Sequence, residues 1–284
     1  MRRMLALWWV TAVAAATNDD AAACSPRRPP PRDAPDEPEL SAVAVDRATV
    51  GPWVRSLRHW VKRWDARAPA LATLAAATST LCVPPKSGST ALFRRYRGGR
   101  RLDRLPDADV ARAIFDLPPA RRVAVVRHPV VRAVSAFRAG RVHDERENKG
   151  LTLDAFASRL ACDSRLPCAE QRRRVNQHWR SQRCFCAFDI PGVRARTSVY
   201  AFRDADAALA AAGAAPGPSL MNAASYSAHS TLTPRTVAKL RETYGNATID
   251  SLYAAVAPDL EYFRDLWPER AGDAPHTASR PRPR

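Results

Sequence analysis

Apolar positions in this chain fall into short runs and helical stripes that alternate along most of its length. Between residues 53 and 67 the apolar side chains are Trp53, Leu57, Trp60, Val61 and Trp64, spaced for one face of a helix. Residues 81–83 form a brief apolar run that ends at Pro84-Pro85, the pattern of a buried strand. Asp107 is placed to cap a helix through Phe115. The valine-rich run 123–126 reads as a second buried strand, and 130–138 as a helix with Pro129 at a permitted early position. Further helices are expected near 153–160, 204–212, Pro234–Tyr244 and 249–256, and further strands near 185–190 and 198–202. Such alternation predicts an α/β fold: one P-loop-like domain with a mostly parallel sheet flanked by helices.

Flanking segments lack that pattern. Met1-Arg2-Arg3-Met4, the apolar residues 5–16 and a small-residue stretch to 23 read as a secretory signal peptide or an uncleaved signal anchor. The apolar run is short for a full membrane span, which needs roughly 20 residues. Residues 24–50 begin Cys-Ser-Pro-Arg-Arg-Pro-Pro-Pro-Arg and read as a Pro/Arg-rich linker or stem. The main domain is placed at 51–270, and 271–284 reads as a disordered basic tail.

Composition narrows the picture less. The chain has 284 residues, 46% of them hydrophobic, enough for a sizeable core. A formal net charge of +17 favours anionic partners. Arginine carries most of that charge and is spread throughout, so the charge alone points to no single ligand. Lysine is confined to Lys62, Lys86, Lys149 and Lys239. Six cysteines are present, and secretory entry would permit disulfides. Cys82, in an apolar stretch, is expected to be a buried free thiol. Cys162, Cys168, Cys184 and Cys186 could form two bridges of unspecified pairing. Their spacing lacks the two C-x-x-C pairs of a common zinc site.

Two strings carry chemistry. Pro84-Pro85-Lys86-Ser87-Gly88-Ser89-Thr90 sits where a strand ends and a helix begins. Backbone N–H groups there can hold a phosphate or sulfate, a glycine allows close approach, Ser89 and Thr90 add hydroxyls, and Lys86 adds a charge. The lysine precedes the glycine, so the loop is not the nucleotide-kinase GxxxxGK[ST]. In the second string, Arg127 ends the strand 123–126 at the edge where open α/β sheets bind ligands. Ser135 follows two turns into the next helix, with Arg132 on its face. An arginine and a hydroxyl suit a second phosphate.

Together these strings resemble the cofactor motifs of the sulfotransferases that use 3'-phosphoadenosine 5'-phosphosulfate (PAPS). The spelling Arg127-His128-Pro129-Val130-Val131-Arg132-Ala133-Val134-Ser135-Ala136-Phe137 is similar to the Golgi carbohydrate branch that includes the chondroitin 4-O- and dermatan enzymes. Asn176-Gln177-His178-Trp179-Arg180-Ser181-Gln182 resembles that branch's H-W-R-P-Q segment, with Ser181 in place of proline. Leu220-Met221-Asn222-Ala223-Ala224-Ser225 is a weaker match. The resemblance spans roughly residues 78–264. It departs in lacking the larger apolar residue after the lysine and in a short segment between the cofactor motifs.

The resemblance implies sulfuryl transfer from PAPS to a hydroxyl of a carbohydrate, with no metal. Lys86, Ser87, Gly88, Ser89 and Thr90 would form the 5'-phosphosulfate loop, and Arg127 and Ser135 the 3'-phosphate site. His178 is the candidate general base, and Asp103, Asp107, Asp109 and Asp116 are the alternatives. The implied partners are a glycan acceptor and not nucleic acid; membrane anchoring would come from the N-terminal segment. The implied compartment is the Golgi lumen, as a soluble or single-pass type II protein. The rival readings are a sugar or nucleoside kinase with a degenerate phosphate loop and a non-enzymatic basic protein that binds polyanions. Asn246-Ala247-Thr248 is an N-glycosylation sequon.

Overall fold

A computed structural model describes residues 73–76, 78–96, 100–101, 105–106, 109, 112–142, 150–190, 192–215 and 232–267. The signal segment, the stem, the helix expected at 53–67, the string 220–225 and the basic tail lie outside the described residues, as do Asp103 and Asp107. No helix among the described residues is long and apolar enough to cross a membrane.

The fold is α/β, with a small parallel sheet flanked by helices. Its five strands are β1 (Thr73–Ala75), β2 (Thr80–Cys82), β3 (Arg100–Arg101), β4 (Arg122–Val126) and β5 (Ser198–Ala201), in the order β3-β1-β2-β4-β5. β2, β4 and β5 are parallel neighbours. β1 and β3 extend the sheet antiparallel, so the parallel character belongs to β2, β4 and β5, of which β2 and β4 lead into the motifs.

The helices are α1 (Ser89–Arg95), α2 (Pro129–Val142), α3 (Leu153–Arg165), α4 (Cys168–Arg174), α5 (Ala205–Ala211), α6 (Pro234–Tyr244), α7 (Asn246–Ala255) and α8 (Ala257–Tyr262). Their ends follow local chemistry. Thr152 caps α3 by accepting from the Ala155 N–H, and Thr233 caps α6 by accepting from the Thr236 N–H, with Pro234 in its first turn. Of the helix expected from Asp107 to Phe115, the described part ends in a π-helical turn at Arg112–Asp116, and its start lies outside the described residues.

β4 is buried on both faces, which is why it reads as an unbroken apolar run. Val123 and Val125 pack with Leu81, Leu92, Phe202 and Leu209 under α1 and α5. Ala124 and Val126 point the other way, into Cys82, Phe185, Phe188 and Phe263. A third cluster joins α2, α3 and α7 around Phe137, Phe156, Trp179 and Leu252.

Two expectations fail here. Residues 185–190 are a run of turns, not a strand. Cys186 and Ala187 have φ of 60° and 58°, which breaks extended pairing. The cysteine expectation fails as well. Cys82 is not a thiol but is bridged to Cys186, and Cys168 is bridged to Cys184. Cys162 is disulfide-bonded too. The four cysteines from 162 to 186 therefore share one internal bridge, not two. A half-cystine is as apolar as a buried thiol, so the stretch around Cys82 could not tell them apart. The bridges suit an oxidising, secretory-type compartment.

Candidate functional site

Because β2, β4 and β5 are parallel, their C-terminal ends open on one sheet edge. The loop after β2 carries Lys86, Ser87 and Gly88; β4 delivers Arg127; β5 delivers Phe202. The two sequence motifs are thus neighbours in space.

The loop is held in an uncommon shape. Lys86 has φ of 65°, a left-handed conformation that costs a non-glycine residue roughly 1–2 kcal/mol. Gly88 has φ of 81° and stands against Phe202, so a Cβ there would overlap the ring, 2.8 Å from its Cζ. Both features require glycine at this position. Three loop carbonyls accept from protein donors. Pro84 takes the Ser87 N–H at 3.1 Å, Pro85 takes Arg132 Nε at 2.8 Å, and Lys86 takes Arg127 Nη1 at 3.1 Å. With these oxygens engaged, the loop is suited to an anion. α1 has only seven residues, so its dipole adds little and the burden falls on Lys86, the loop amides and the hydroxyls.

Lys86 is partly exposed, Ser87 is buried, Ser89 is partly exposed and Thr90 is exposed. Arg127 is partly exposed, and Ser135 is partly exposed two turns along α2. Ser87 does not face outward: its Oγ donates to Gln182 Oε1 at 3.2 Å. It therefore supports the loop from behind.

Arg132 also takes a different role from the one its spacing suggested. It is 3% exposed and donates to the carbonyls of Pro85, Arg180 and Gln177. Its guanidinium lies 5.7 Å from the Phe185 ring centroid, with Arg180 at 5.5 Å from the same ring. Burial lowers its pKa to about 10, with Arg127 adding to the fall and Asp259 opposing it. Arg132 stays charged at neutral pH and ties the Lys86 loop to the segment bearing His178.

That segment is anchored throughout. Asp259, 5% exposed, accepts from Ser181 Oγ, from the Gln182 N–H at 2.7 Å and from the Arg183 N–H at 3.1 Å. Gln171 Oε1 accepts from the Ser181 N–H at 2.9 Å. His178 is partly exposed in the preceding turn, where its backbone N–H donates to Asn176 Oδ1 at 3.0 Å. Trp179 beside it is buried against Phe156. Asp109 pairs with Arg112 at 3.0 Å, and Asp116 is exposed.

Three site residues escaped sequence reasoning. Gln182 was visible as part of the H-W-R-x-Q string but without a role. Phe202 and Asp259 gave no local signal, since each acts on a partner far along the chain. No group of three or more His, Cys, Asp or Glu side chains among the described residues could hold a metal. No protein-family model, no curated protein and no solved structure matches this chain.

Proposed function

We propose that this chain is a P-loop-like, PAPS-dependent carbohydrate O-sulfotransferase of the Golgi lumen. The observation that carries the reading is the meeting of two cationic loops on one parallel sheet edge, joined by the hydrogen bond from Arg127 to the Lys86 carbonyl. Their donors are cations, amides and hydroxyls, and the nearby loop carbonyls are already engaged, which is the chemistry a phosphosulfate and a second phosphate need.

PAPS supplies an activated sulfuryl group on a nucleotide leaving group. Lys86 neutralises negative charge at the leaving oxygen. The amides of Gly88, Ser89 and Thr90, with the Ser89 and Thr90 hydroxyls, hold the 5'-phosphosulfate, while Ser87, its own amide given to the Pro84 carbonyl, and Gly88 shape the loop. Arg127 and Ser135 hold the 3'-phosphate and so fix the position along the sheet edge. Arg132 and Gln182 keep the two loops in register. His178 takes the proton from the acceptor hydroxyl, in a segment that these same residues hold against the loop.

The test is transfer of labelled sulfate from PAPS onto a panel of glycans by the wild-type chain, Lys86→Ala and His178→Ala. Wild type labels at least one glycan. Lys86→Ala loses turnover by an order of magnitude or more, and His178→Ala loses transfer while binding 3'-phosphoadenosine 5'-phosphate (PAP) normally. Transfer unchanged in Lys86→Ala refutes the proposed chemistry.

A further inference from the structure

We propose that Asn246 carries an N-linked glycan, independently of what the sheet edge binds. Asn246-Ala247-Thr248 is the sole N-x-[ST] string in the sequence, and its middle residue is not proline. The structure puts that string in a place that can keep a bulky polar adduct. Asn246 is the first residue of α7, at the corner where α6 ends, and it is exposed. The corner turns on Gly245, with φ of 86° and ψ of 152°, and a Cβ built on Gly245 meets nothing within 4 Å. The space beside Asn246 is therefore open.

The side chain is also not committed to the core. Its Oδ1 accepts from Arg241 Nη1 at 3.2 Å, an exposed contact that does not use the amide nitrogen to which a glycan attaches. Arg241 has a second partner in Asp250 at 2.6 Å, so the corner keeps its ion pair when Asn246 is modified. A first-turn residue has no intrahelical acceptor for its N–H, so α7 loses no ladder bond through this position. Burial of the helix rests instead on Ile249, Leu252 and Ala255.

Compartment is the second requirement. The Cys82–Cys186 and Cys168–Cys184 bridges mark a chain that matures where disulfides persist. Secreted chains meet the glycosylating machinery on the same route. The donor is a lipid-linked oligosaccharide diphosphate. The Asn246 amide nitrogen attacks the anomeric carbon, a C–N bond forms, the C–O bond to the diphosphate breaks, and the amide loses one proton to the medium. The diphosphate leaves with the bonding pair, so no oxidant or reductant is involved.

The full chain is expressed in a eukaryotic secretory host and digested with trypsin, with and without peptide N-glycosidase. The expected result is a glycosylated peptide spanning 242–264, which the glycosidase converts to one with aspartate at position 246. Asn246→Gln and Thr248→Ala abolish the modification and Thr248→Ser retains it, with the urea midpoint of Asn246→Gln unchanged, as suits an exposed residue. An unmodified peptide overturns the proposal, whether the chain is recovered from the lumen or outside it. So does a glycan that survives Asn246→Gln. The sulfate-transfer assay reads neither outcome, so the two proposals fail separately.

Discussion

Gln182 reads both backbone polar groups of Arg127: its Oε1 accepts from the Arg127 N–H at 3.0 Å, and its Nε2 donates to the Arg127 carbonyl at 2.7 Å. The same Oε1 accepts from Ser87 Oγ, so one fully buried amide joins the end of β4 to the loop after β2. Gln182→Ala leaves the buried Ser87 hydroxyl without its partner, worth roughly 1–3 kcal/mol, and removes two part-buried bonds to the Arg127 backbone that count for less. The expected result is a lower urea midpoint together with weaker PAP binding. Gln182→Glu keeps the acceptor but sets an oxygen against the Arg127 carbonyl, so it rescues neither. Stability and PAP affinity unchanged in Gln182→Ala would show that the two loops hold their register without it.

Gly88 answers to two constraints that a double mutant separates. Gly88→Ala pays for its left-handed φ, roughly 1–2 kcal/mol, and for overlap with Phe202, about 1–3 kcal/mol. Phe202→Ala alone opens a cavity in the cluster around Leu81 and Leu209. In the pair, the overlap is gone and the φ cost remains. The cycle, followed by urea unfolding, should show a favourable coupling of about 1 kcal/mol or more. Simple additivity would mean that the ring moves aside at no cost.

Much of this arrangement was legible in the chain itself. The apolar run of β4 and the proline stop after β2 announced both strands, and Thr233-Pro234 marked the start of α6. The turns at 185–190 were not legible, because Phe185 and Phe188 are apolar for the sake of long-range packing and Cys184 and Cys186 are tied elsewhere. The same holds for the site. Lys86 and Arg127 stood out through local strings, whereas Gln182, Asp259 and Phe202 matter through contacts about 55 to 114 residues away along the chain, which no local pattern encodes.

The Cys82–Cys186 bridge spans 104 residues and starts at the end of β2, directly before the loop. Chain-entropy reasoning gives such a closure about 4–5 kcal/mol, and about 3 kcal/mol for the 16-residue closure of Cys168–Cys184. Cys186→Ser should therefore lower the unfolding free energy more than Cys168→Ser. Denaturant titration of the two variants, each with its partner cysteine also changed to serine, measures the order directly. The reverse order would place the greater constraint in the short loop.

Stability should also fall at high pH through Tyr262. Burial pushes its pKa up to about 12, with Arg194 partly opposing, and its hydroxyl donates to the Phe188 carbonyl at 2.9 Å. The unfolded chain gives up this proton near the ordinary tyrosine value of about 10. Between about 10 and 12 the folded state keeps a proton that the unfolded state has lost, so stability is full below that window and declines as pH rises through it. Tyr262→Phe should flatten that decline in urea titrations from pH 9 to 12. Tyr96, also raised by burial, adds to the decline, whereas Arg132 and Arg122, lowered by burial, oppose it, so the readout is the difference in slope between wild type and Tyr262→Phe. A decline of equal steepness in Tyr262→Phe would assign the alkaline loss to other groups.

The central claim is that Arg127 and the Lys86 loop together bind a nucleotide through two separate phosphate positions. Calorimetric titration of the chain with PAP, and with adenosine 5'-phosphate, which lacks the 3'-phosphate, tests it most directly. PAP should bind at least tenfold more tightly than adenosine 5'-phosphate. Arg127→Ala should erase that preference, and Lys86→Ala should weaken both ligands while leaving the preference in place. Equal affinity for the two nucleotides in the wild-type chain, or a preference that survives Arg127→Ala, would contradict the account.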